Sequence, residues 1–425
     1  MAIVLFIIFV ALMAVGVPIA ISMAASSILY MVMFVDTPIV VIAQQMLAGV
    51  NKYTLLAIPF FMIAGSLMEH GGISRRLVDF CKVLLGRIPG GLALVTIVAC
   101  EIFAAMTGAG AATVAAIGTF MIPAMVADGY NKDFAAALTA TAGIFGPLIP
   151  PSILMVLYSV STNVSVGTML IGGIGPGLLM GLMVVIPAMC VCIKNNYRSQ
   201  TPTGLKNLWS SFKSAIWAIF TPVIILGGIY SGLFTATEAA AVAALYALIV
   251  GIFVYKELNL KKMVDVLKTS MISTAGIMLI VAATQAFGWV LTFEQIPQDI
   301  AAFLTSTIGN KWVFLIIVDI LMLISGCFLD PVPAVMIYAP LLAPVATQFG
   351  VDPIHFGVLM VVGLVIGLIT PPVGVNLFVA SAIAERPVHR IVPKLIPFIA
   401  FCVVGLVITT FVPAISTFLP SLIGE

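Results

Sequence analysis

Charge is the property this sequence has least of. Only 8% of its 425 residues are Asp, Glu, Lys or Arg, whereas 62% are hydrophobic. A soluble domain of this length needs a polar surface, which so few charges cannot cover. Basic blocks interleaved with aromatic residues are also missing, which argues against a nucleic-acid partner. Because apolar runs recur along the whole chain, we predict an integral membrane protein in a lipid bilayer.

Signals for catalysis are equally scarce. The sequence has no His-Glu-x-x-His zinc motif, no Ser/His couple at a plausible depth and no phosphate-binding Walker loop. These absences argue against an intramembrane hydrolase and a primary pump. Six scattered cysteines predict free packing thiols. The first segment, Ala2–Val35, is too long for the core of a signal peptide and is expected to remain as one membrane helix. We therefore expect a transporter and not an enzyme.

The basic residues predict the topology. Sixteen of the 18 Lys and Arg residues fall on one side of the membrane if two apolar stretches, Gly90–Val126 and Trp312–Thr347, do not cross it. The exceptions are Lys52 and Lys311. Such a split matches the excess of positive charge on cytoplasmic loops. It places the N-terminus in the cytoplasm and the C-terminus in the periplasm of a bacterial inner membrane.

Each of the two non-crossing stretches is broken near its middle and predicts a re-entrant hairpin of two half-helices. The breaks lie at Met106–Gly110 and Gly326–Pro333. Nine crossing helices are expected at Ala2–Val35, Leu55–Met68, Phe134–Val160, Gly167–Cys192, Ile216–Tyr230, Glu238–Tyr255, Met271–Phe293, Phe356–Ile383 and Leu395–Leu419. Short basic helices along the cytoplasmic interface are expected at Ile73–Arg87, Leu205–Lys213 and Leu258–Lys268.

The second half repeats the first. Identical residues recur at an offset of 221, mostly Gly and Pro, and the pair Pro150-Pro151 corresponds to Pro371-Pro372. The charge-based topology gives the two copies opposite orientations, as in inverted-repeat transporters. We predict an all-α polytopic fold of two inverted repeats, with scaffold helices at 1–70, repeat 1 at 71–160, scaffold and an interfacial arm helix at 161–270, repeat 2 at 271–383 and a C-terminal helix at 384–425.

Each Pro-Pro pair interrupts a crossing helix, because two adjacent prolines remove two hydrogen-bond donors and disfavour helical geometry before them. Unwound backbone at membrane depth is tolerated where it lines a cavity or binds something. Its free carbonyls, facing those of a hairpin turn, suit Na⁺ as the co-transported ion. The candidate ligands are Thr107, Gly108, Ala109, Gly110, Pro147 and Ile149 in repeat 1, and Gly326, Asp330, Gly367 and Thr370 in repeat 2.

Three side chains are candidates for substrate binding: Thr107, Ser152 and Asp330. Ser152 has an alternative role as a helix cap, and it can serve both roles. Asp330 has an alternative role in an Asp-Pro turn, although an ionisable group in an apolar span suggests function by default. Two further acids, Glu101 and Asp319, are interpreted as buried groups hydrogen-bonded within the bundle rather than as proton relays.

Four stretches together resemble one transporter family: Thr107–Gly118, Gly146–Ser152, Phe328–Ala334 and Gly367–Gly374. They are similar to the large, DctM-like membrane subunit of tripartite ATP-independent periplasmic (TRAP) transporters, and the resemblance covers essentially the whole chain. It implies Na⁺-driven uptake of an organic acid by an elevator mechanism. It also implies two partners, a small four-helix membrane subunit and a periplasmic substrate-binding protein.

The resemblance maps the family's hairpin-turn hydroxyl to Thr107, its Pro-Pro-Ser hydroxyl to Ser152 and its second acid to Asp330. Gly363 departs from it, because many relatives carry Asn there, and part of the second ion site is thereby in doubt. Only one helix is expected before Leu55, so the small subunit is expected as a separate chain. The general pattern leans towards a sialic-acid member, with C4-dicarboxylates as the other substrate class. The closest rival is a stand-alone Na⁺/dicarboxylate symporter with similar hairpins.

The first testable prediction is the topology. Lys132 and Lys194 should be cytoplasmic and Lys311 periplasmic, because of the asymmetry of basic residues. The variants Lys132→Cys, Lys194→Cys and Lys311→Cys, each in a background without native cysteines, should be tested with a membrane-impermeant thiol reagent on intact cells. Only position 311 should react from outside. Reaction at position 132 would contradict both the topology and the opposite orientation of the repeats.

Overall fold

A computed structural model describes residues 2–35, 38–86, 88–197 and 205–422 of the protein. Within these ranges the regular structure is entirely helical, as predicted. Arg87 and Arg198, which belong to the predicted cytoplasmic clusters, lie outside the described residues. Eight helical segments of the described residues are long and apolar enough to cross a membrane. Their exposed side chains include many large apolar ones, which suits contact with lipid.

The N-terminal part differs from the prediction of one helix before Leu55. It contains α1 (Ala2–Ala14), α2 (Ile19–Phe34), α3 (Val40–Val50) and α4 (Ala57–His70). The predicted single span Ala2–Val35 is therefore wrong, because two packed helices meet at a turn there. The turn contains Gly16, at a φ of +91°, and Pro18, which precedes the first residue of α2. Both residues were visible in the sequence as a break signal.

The first repeat consists of five helices. They are α5 (Ile73–Leu85), α6 (Gly91–Thr107), α7 (Gly110–Ala127), α8 (Lys132–Ala142) and α9 (Ile153–Thr162). Helices α6 and α7 form the hairpin and meet at Gly108 and Ala109. Helix α8 continues into a 3-10 turn, Gly143–Phe145, and the chain then unwinds before α9. The bond Pro150-Pro151 within this break is cis.

Four helices separate the repeats. They are α10 (Val166–Gly172), α11 (Ile174–Lys194), α12 (Leu205–Tyr230) and α13 (Ala236–Ile249). The predicted interfacial helix Leu205–Lys213 is not a separate element, since it forms the first turns of α12. A capping box between Thr235 and Glu238 starts α13, so the carboxylate stands at the positive end of that helix.

The second half contains eight helices. They are α14 (Leu260–Phe293), α15 (Ile296–Ile308), α16 (Lys311–Gly326), α17 (Pro331–Gln348), α18 (Pro353–Gly367), α19 (Val375–Ile383), α20 (Val388–Phe411) and α21 (Ala414–Leu422). The predicted interfacial helix Leu258–Lys268 is wrong as a separate element, because α14 runs unbroken for 34 residues. The single C-terminal helix predicted at 384–425 is two helices, divided at Pro413.

Helix boundaries repeat with the offsets found in the sequence. Helix α17 begins and ends 221 residues after α7, and α15 begins and ends 223 residues after α5. The caps repeat as well, since Asn131 at α8 and Asp352 at α18 each accept two backbone N–H groups from the first turn of their helix. The bond Pro371-Pro372 is also cis. The opposite orientation of the two copies remains a prediction.

The two repeats exchange helices, in the sense that each packs a helix against a helix of the other. Helix α17 of repeat 2 packs on α9 of repeat 1, and α7 of repeat 1 packs on α19 of repeat 2. Two ion pairs join the start of α8 in repeat 1 to the residues that follow α19 in repeat 2. Arg386 Nε lies 3.3 Å from Asp133 Oδ1, and Lys132 Nζ lies 3.9 Å from Glu385 Oε2. The four hairpin and broken-helix elements therefore form one interleaved body.

Candidate transport site

In each repeat the hairpin turn touches the break of the interrupted helix. A Cβ atom on Gly146 would lie 2.5 Å from the carbonyl oxygen of Ala109, and one on Gly367 would overlap the backbone of Gly326. Gly146 and Gly367 are equivalent at the offset of 221. Ala109 lies two residues after the end of α6, and Gly326 is the last residue of α16. In each repeat the first half-helix of the hairpin therefore ends near the end of the interrupted helix, α6 near α8 and α16 near α18.

The helix ends give the two contacts a defined electrostatic character. The last carbonyls of a helix have no intrahelical partner and carry partial negative charge. Two C-terminal ends that face each other therefore favour a cation between them. The candidate Na⁺ ligands Thr107 and Gly326 are the last residues of α6 and α16, and Gly367 is the last residue of α18.

The opposite ends of the half-helices meet at one cavity of about 160 Å³. The first residues of α7, α9, α17 and α19 all contribute to its wall. The lining consists of Met62, Gly108, Ala109, Gly110, Ala111, Pro147, Ile153, Leu154, Ile277, Asp330, Pro331, Val332, Leu368 and Val375. Helix N-termini carry partial positive charge and exposed N–H groups, which favour an anion.

The two repeats supply this cavity with different groups. Helix α7 starts without a side-chain cap, so the N–H groups of its first turn are not bonded by a cap residue. Helix α17 starts with Pro331, and Pro333 follows, so it offers few donors. Among the described residues of the wall, Asp330 is the one that can ionise. At the hairpin turns, repeat 1 therefore presents donors through α7, whereas repeat 2 presents a carboxylate through Asp330.

The structure brings five of the predicted site residues to the cavity: Gly108, Ala109, Gly110, Pro147 and Asp330. The other six predicted site residues are not among those that line the cavity. They are Thr107, Ile149, Ser152, Gly326, Gly367 and Thr370.

The two predicted hydroxyls are already bonded. Thr107 is 6% exposed, and its Oγ1 lies 3.3 Å from the Phe103 carbonyl and 3.1 Å from Thr113 Oγ1. Ser152 is fully buried, donates to the carbonyl of Pro147 and accepts the N–H of Met155 at 3.3 Å. Ser152 thus caps α9, which is the alternative role foreseen for it. Its place in substrate binding remains a prediction.

Asp330 also caps a helix. Its Oδ1 accepts the N–H of Val332 at 2.9 Å at the start of α17. Its side chain is exposed, and Oδ2 has no hydrogen-bond partner among the residues that the structure describes. The carboxylate therefore combines a structural bond with an oxygen that is free to meet a ligand.

Asn376 is a site residue that the sequence analysis missed. It lies in the first turn of α19 in repeat 2 but inserts into repeat 1, where its Nδ2 donates to the carbonyl of Ala140 at 3.3 Å. A Cβ on Gly110 would lie 3.0 Å from its Oδ1. The sequence held a signal, an amide two residues after Gly374 in an apolar run. Its destination depends on the packing of α19 against α7 and α8.

Gly363 and the two acids, Glu101 and Asp319, each lie against a neighbouring helix. A Cβ on Gly363 would lie 2.7 Å from Met322 Cβ, so an Asn there would require α16 to move. Asp319 accepts the hydroxyl of Thr410 at 2.7 Å. The carboxylate of Glu101 lies directly against Gly181 of α11. Asp319 is thus hydrogen-bonded to a neighbouring helix, as interpreted. For Glu101 the structure shows the contact with Gly181, and its hydrogen bond within the bundle remains a prediction.

Paired hairpins, paired broken helices and a cavity between their ends define a polytopic membrane transporter. The solved structure of the YdaH transporter from Alcanivorax borkumensis has the same general fold, with a TM-score of 0.62 and 15% identity, covering 90% of this chain and 87% of that one. At that identity the likeness concerns the fold alone.

The family model described as "Tripartite ATP-independent periplasmic transporter, DctM component" matches residues 6–415. The C4-dicarboxylate TRAP transporter large permease protein DctM of Pseudomonas aeruginosa is 43% identical, over 95% of this chain and 94% of its own length. The sialic acid TRAP transporter large permease protein SiaM of Vibrio cholerae is 37% identical, over 96% and 95%. The chain belongs to the DctM family of TRAP transporter large permeases, which are transporter components and not enzymes.

The second prediction concerns the contact of Gly367 with Gly326. Gly367→Ala should lower the free energy of unfolding by about 1–3 kcal/mol, because the methyl group must displace the hairpin backbone. Gly276→Ala in α14 is the control, since nothing lies within 4 Å of its added Cβ, and it should be neutral or stabilise by up to about 1 kcal/mol. Thermal unfolding of the purified proteins measures both. Equal stability of the two variants would contradict the close approach.

Proposed function

We propose that this chain is the large permease of a Na⁺-coupled TRAP transporter that takes up an organic-acid anion across the bacterial inner membrane. The observation that carries the proposal is the arrangement of helix ends around the site. Pairs of C-terminal ends favour cations on two sides, and N-terminal ends that border one cavity favour an anion between them.

Asp330 supports coupling between the ion and the substrate. A substrate carboxylate about 4 Å from the Asp330 carboxylate would meet about 4 kcal/mol of repulsion at an effective dielectric constant of 20. Among the described residues that line the cavity there is no Lys, Arg or His to offset this repulsion. Bound Na⁺ would supply the missing positive charge, so the anion would bind well only after the cations.

The cavity wall also supports an elevator movement. Met62 of α4 and Ile277 of α14 close the cavity from outside the interleaved body of hairpins and broken helices. Both contacts are apolar, so the body can slide past them without breaking hydrogen bonds at these positions. In this proposal α4 and α14 belong to the scaffold. The small four-helix subunit extends that scaffold, and a periplasmic binding protein delivers the substrate.

The substrate class is an organic acid with one carboxylate at the donor-rich repeat 1 end and hydroxyl groups or Na⁺ at Asp330. Sugar acids, including sialic acid, and C4-dicarboxylates are the two candidates, as the names of the P. aeruginosa and V. cholerae relatives illustrate. Binding assays of both classes with the genetically neighbouring periplasmic protein would separate them.

The third prediction tests coupling. Two pseudo-equivalent cation sites imply at least two Na⁺ per substrate, so a monoanion moves net positive charge inward. Uptake into liposomes should require a Na⁺ gradient and should accelerate with an inside-negative potential, which contributes about 2.3 kcal/mol per charge at 100 mV. The complete tripartite system is compared with this chain alone. Uptake indifferent to Na⁺ and potential would refute the proposal, and uptake by this chain alone would favour the stand-alone symporter.

The fourth prediction concerns Asp330. Asp330→Asn should lower uptake at least about tenfold, because hydrogen bonds to a charged group contribute about 1.5–3 kcal/mol, while assembly with the small subunit is retained. Uptake and complex recovery are measured together. Asp352→Asn is the matched control, since Asp352 caps α18 in the same way outside the cavity. Wild-type uptake by Asp330→Asn would exclude it from substrate binding, and loss of the folded complex would assign it to structure.

A further inference from the structure

Asn376 is a buried amide whose nitrogen, Nδ2, has a hydrogen-bond partner and whose oxygen, Oδ1, has none among the described residues. It is 0% exposed, and its Nδ2 donates to the Ala140 carbonyl, which fixes the direction of the amide. Its Oδ1 has no hydrogen-bond partner in the described part of the chain. A buried acceptor without a partner costs about 1–3 kcal/mol, so such an atom requires an explanation.

The surroundings of Oδ1 are rich in acceptors. The point where a Cβ on Gly110 would stand lies 3.0 Å from Asn376 Oδ1 and also 3.0 Å from the carbonyl oxygen of Gly143. Gly143 follows the C-terminal end of α8, which carries partial negative charge. Oδ1 thus lies near a neutral carbonyl oxygen at the negative end of α8 and near the first turn of α7, and no N–H group of the described residues is hydrogen-bonded to it. Two neutral oxygens beside a negative helix end can coordinate a hard monovalent cation.

The equivalent position in repeat 1 has no such oxygen. Met155 stands 221 residues before Asn376, is fully buried, and directs its thioether against Gly173. A thioether is a soft ligand that does not suit Na⁺. The exchange of helices between repeats thus adds an amide oxygen to the repeat 1 site and nothing comparable to the repeat 2 site.

We propose that Asn376 Oδ1 is a Na⁺ ligand that repeat 2 contributes to the repeat 1 cation site, so that this site is complete only when α19 is packed against α7 and α8. The inference rests on the proposed Na⁺ coupling. It makes the two cation sites chemically different, and it makes occupancy of the first one dependent on the position of an element of the second repeat.

The experiment is a Na⁺ titration of thermal unfolding of the purified complex with its small subunit, at constant ionic strength with choline as the replacement cation. Asn376→Leu keeps the branched shape and removes the oxygen. It should raise the half-saturating Na⁺ concentration about tenfold or more, within the range for altered ligand shells. Met155→Leu is the matched control and should leave that concentration unchanged.

A second variant covers the case in which Asn376→Leu does not fold. Asn376→Asp keeps Oδ1, replaces the amide nitrogen that donates to Ala140 with a second oxygen and adds a negative charge. A ligand role therefore predicts a lower half-saturating Na⁺ concentration than in the wild type. An unchanged or higher value would overturn the proposal.

Two further outcomes are distinguishable. An Asn376→Leu variant that melts earlier at every Na⁺ concentration, with the wild-type half-saturation, would overturn the ligand role and indicate packing or a bound water. A wild-type complex that does not respond to Na⁺ would remove the Na⁺ coupling itself, before any variant is compared.

Discussion

The structure depends on one constraint, the need of backbone N–H and C=O groups for partners in a medium without water. Most of this chain meets it with unbroken helices. Four helix interruptions do not: the turns at Gly108 and Cys327, and the breaks that contain Pro150-Pro151 and Pro371-Pro372. The fold collects all four interruptions around one cavity, so backbone groups that have no partner within a helix lie close together there.

Much of this arrangement could be predicted from the sequence because local chemistry dictates it. Paired prolines interrupt a helix in any context, and the Gly-Ala-Gly turn after Thr107 ends α6 where expected. The predictions failed where packing between distant parts of the chain decides the limits of a helix. The segment Leu258–Lys268 reads as a basic interfacial helix, but no Pro or Gly separates it from the apolar run that follows, and α14 continues through both. The break at Gly16 and Pro18 interrupts an apolar run long enough for one membrane helix, and the run divides there into α1 and α2.

The site residues fall into the same two groups, those fixed by local sequence and those fixed by long-range packing. Gly108, Ala109, Gly110, Pro147 and Asp330 reach the cavity because they belong to the interruptions themselves. Thr107 and Ser152 are one residue away from an interruption, and there the helix rather than the cavity takes their hydroxyls. Asn376 could not be assigned from its own repeat, because its partners Ala140 and Gly143 belong to the other one. Sequence patterns locate interruptions, whereas the exchange of helices decides what surrounds them.

This exchange has a consequence for coupling. If each repeat closed its own site, the two proposed cation sites would fill independently, and the proposed anion between them would sense only their summed charge. Here α17 lies on α9 and α19 lies on α7, so a shift of one repeat changes the walls of the other's site. The ion pairs between α8 and the end of α19 hold these elements in register. A cation that stabilises one packed arrangement therefore also stabilises the geometry of the shared cavity, which is the differential interaction that ligand-linked conformational change requires.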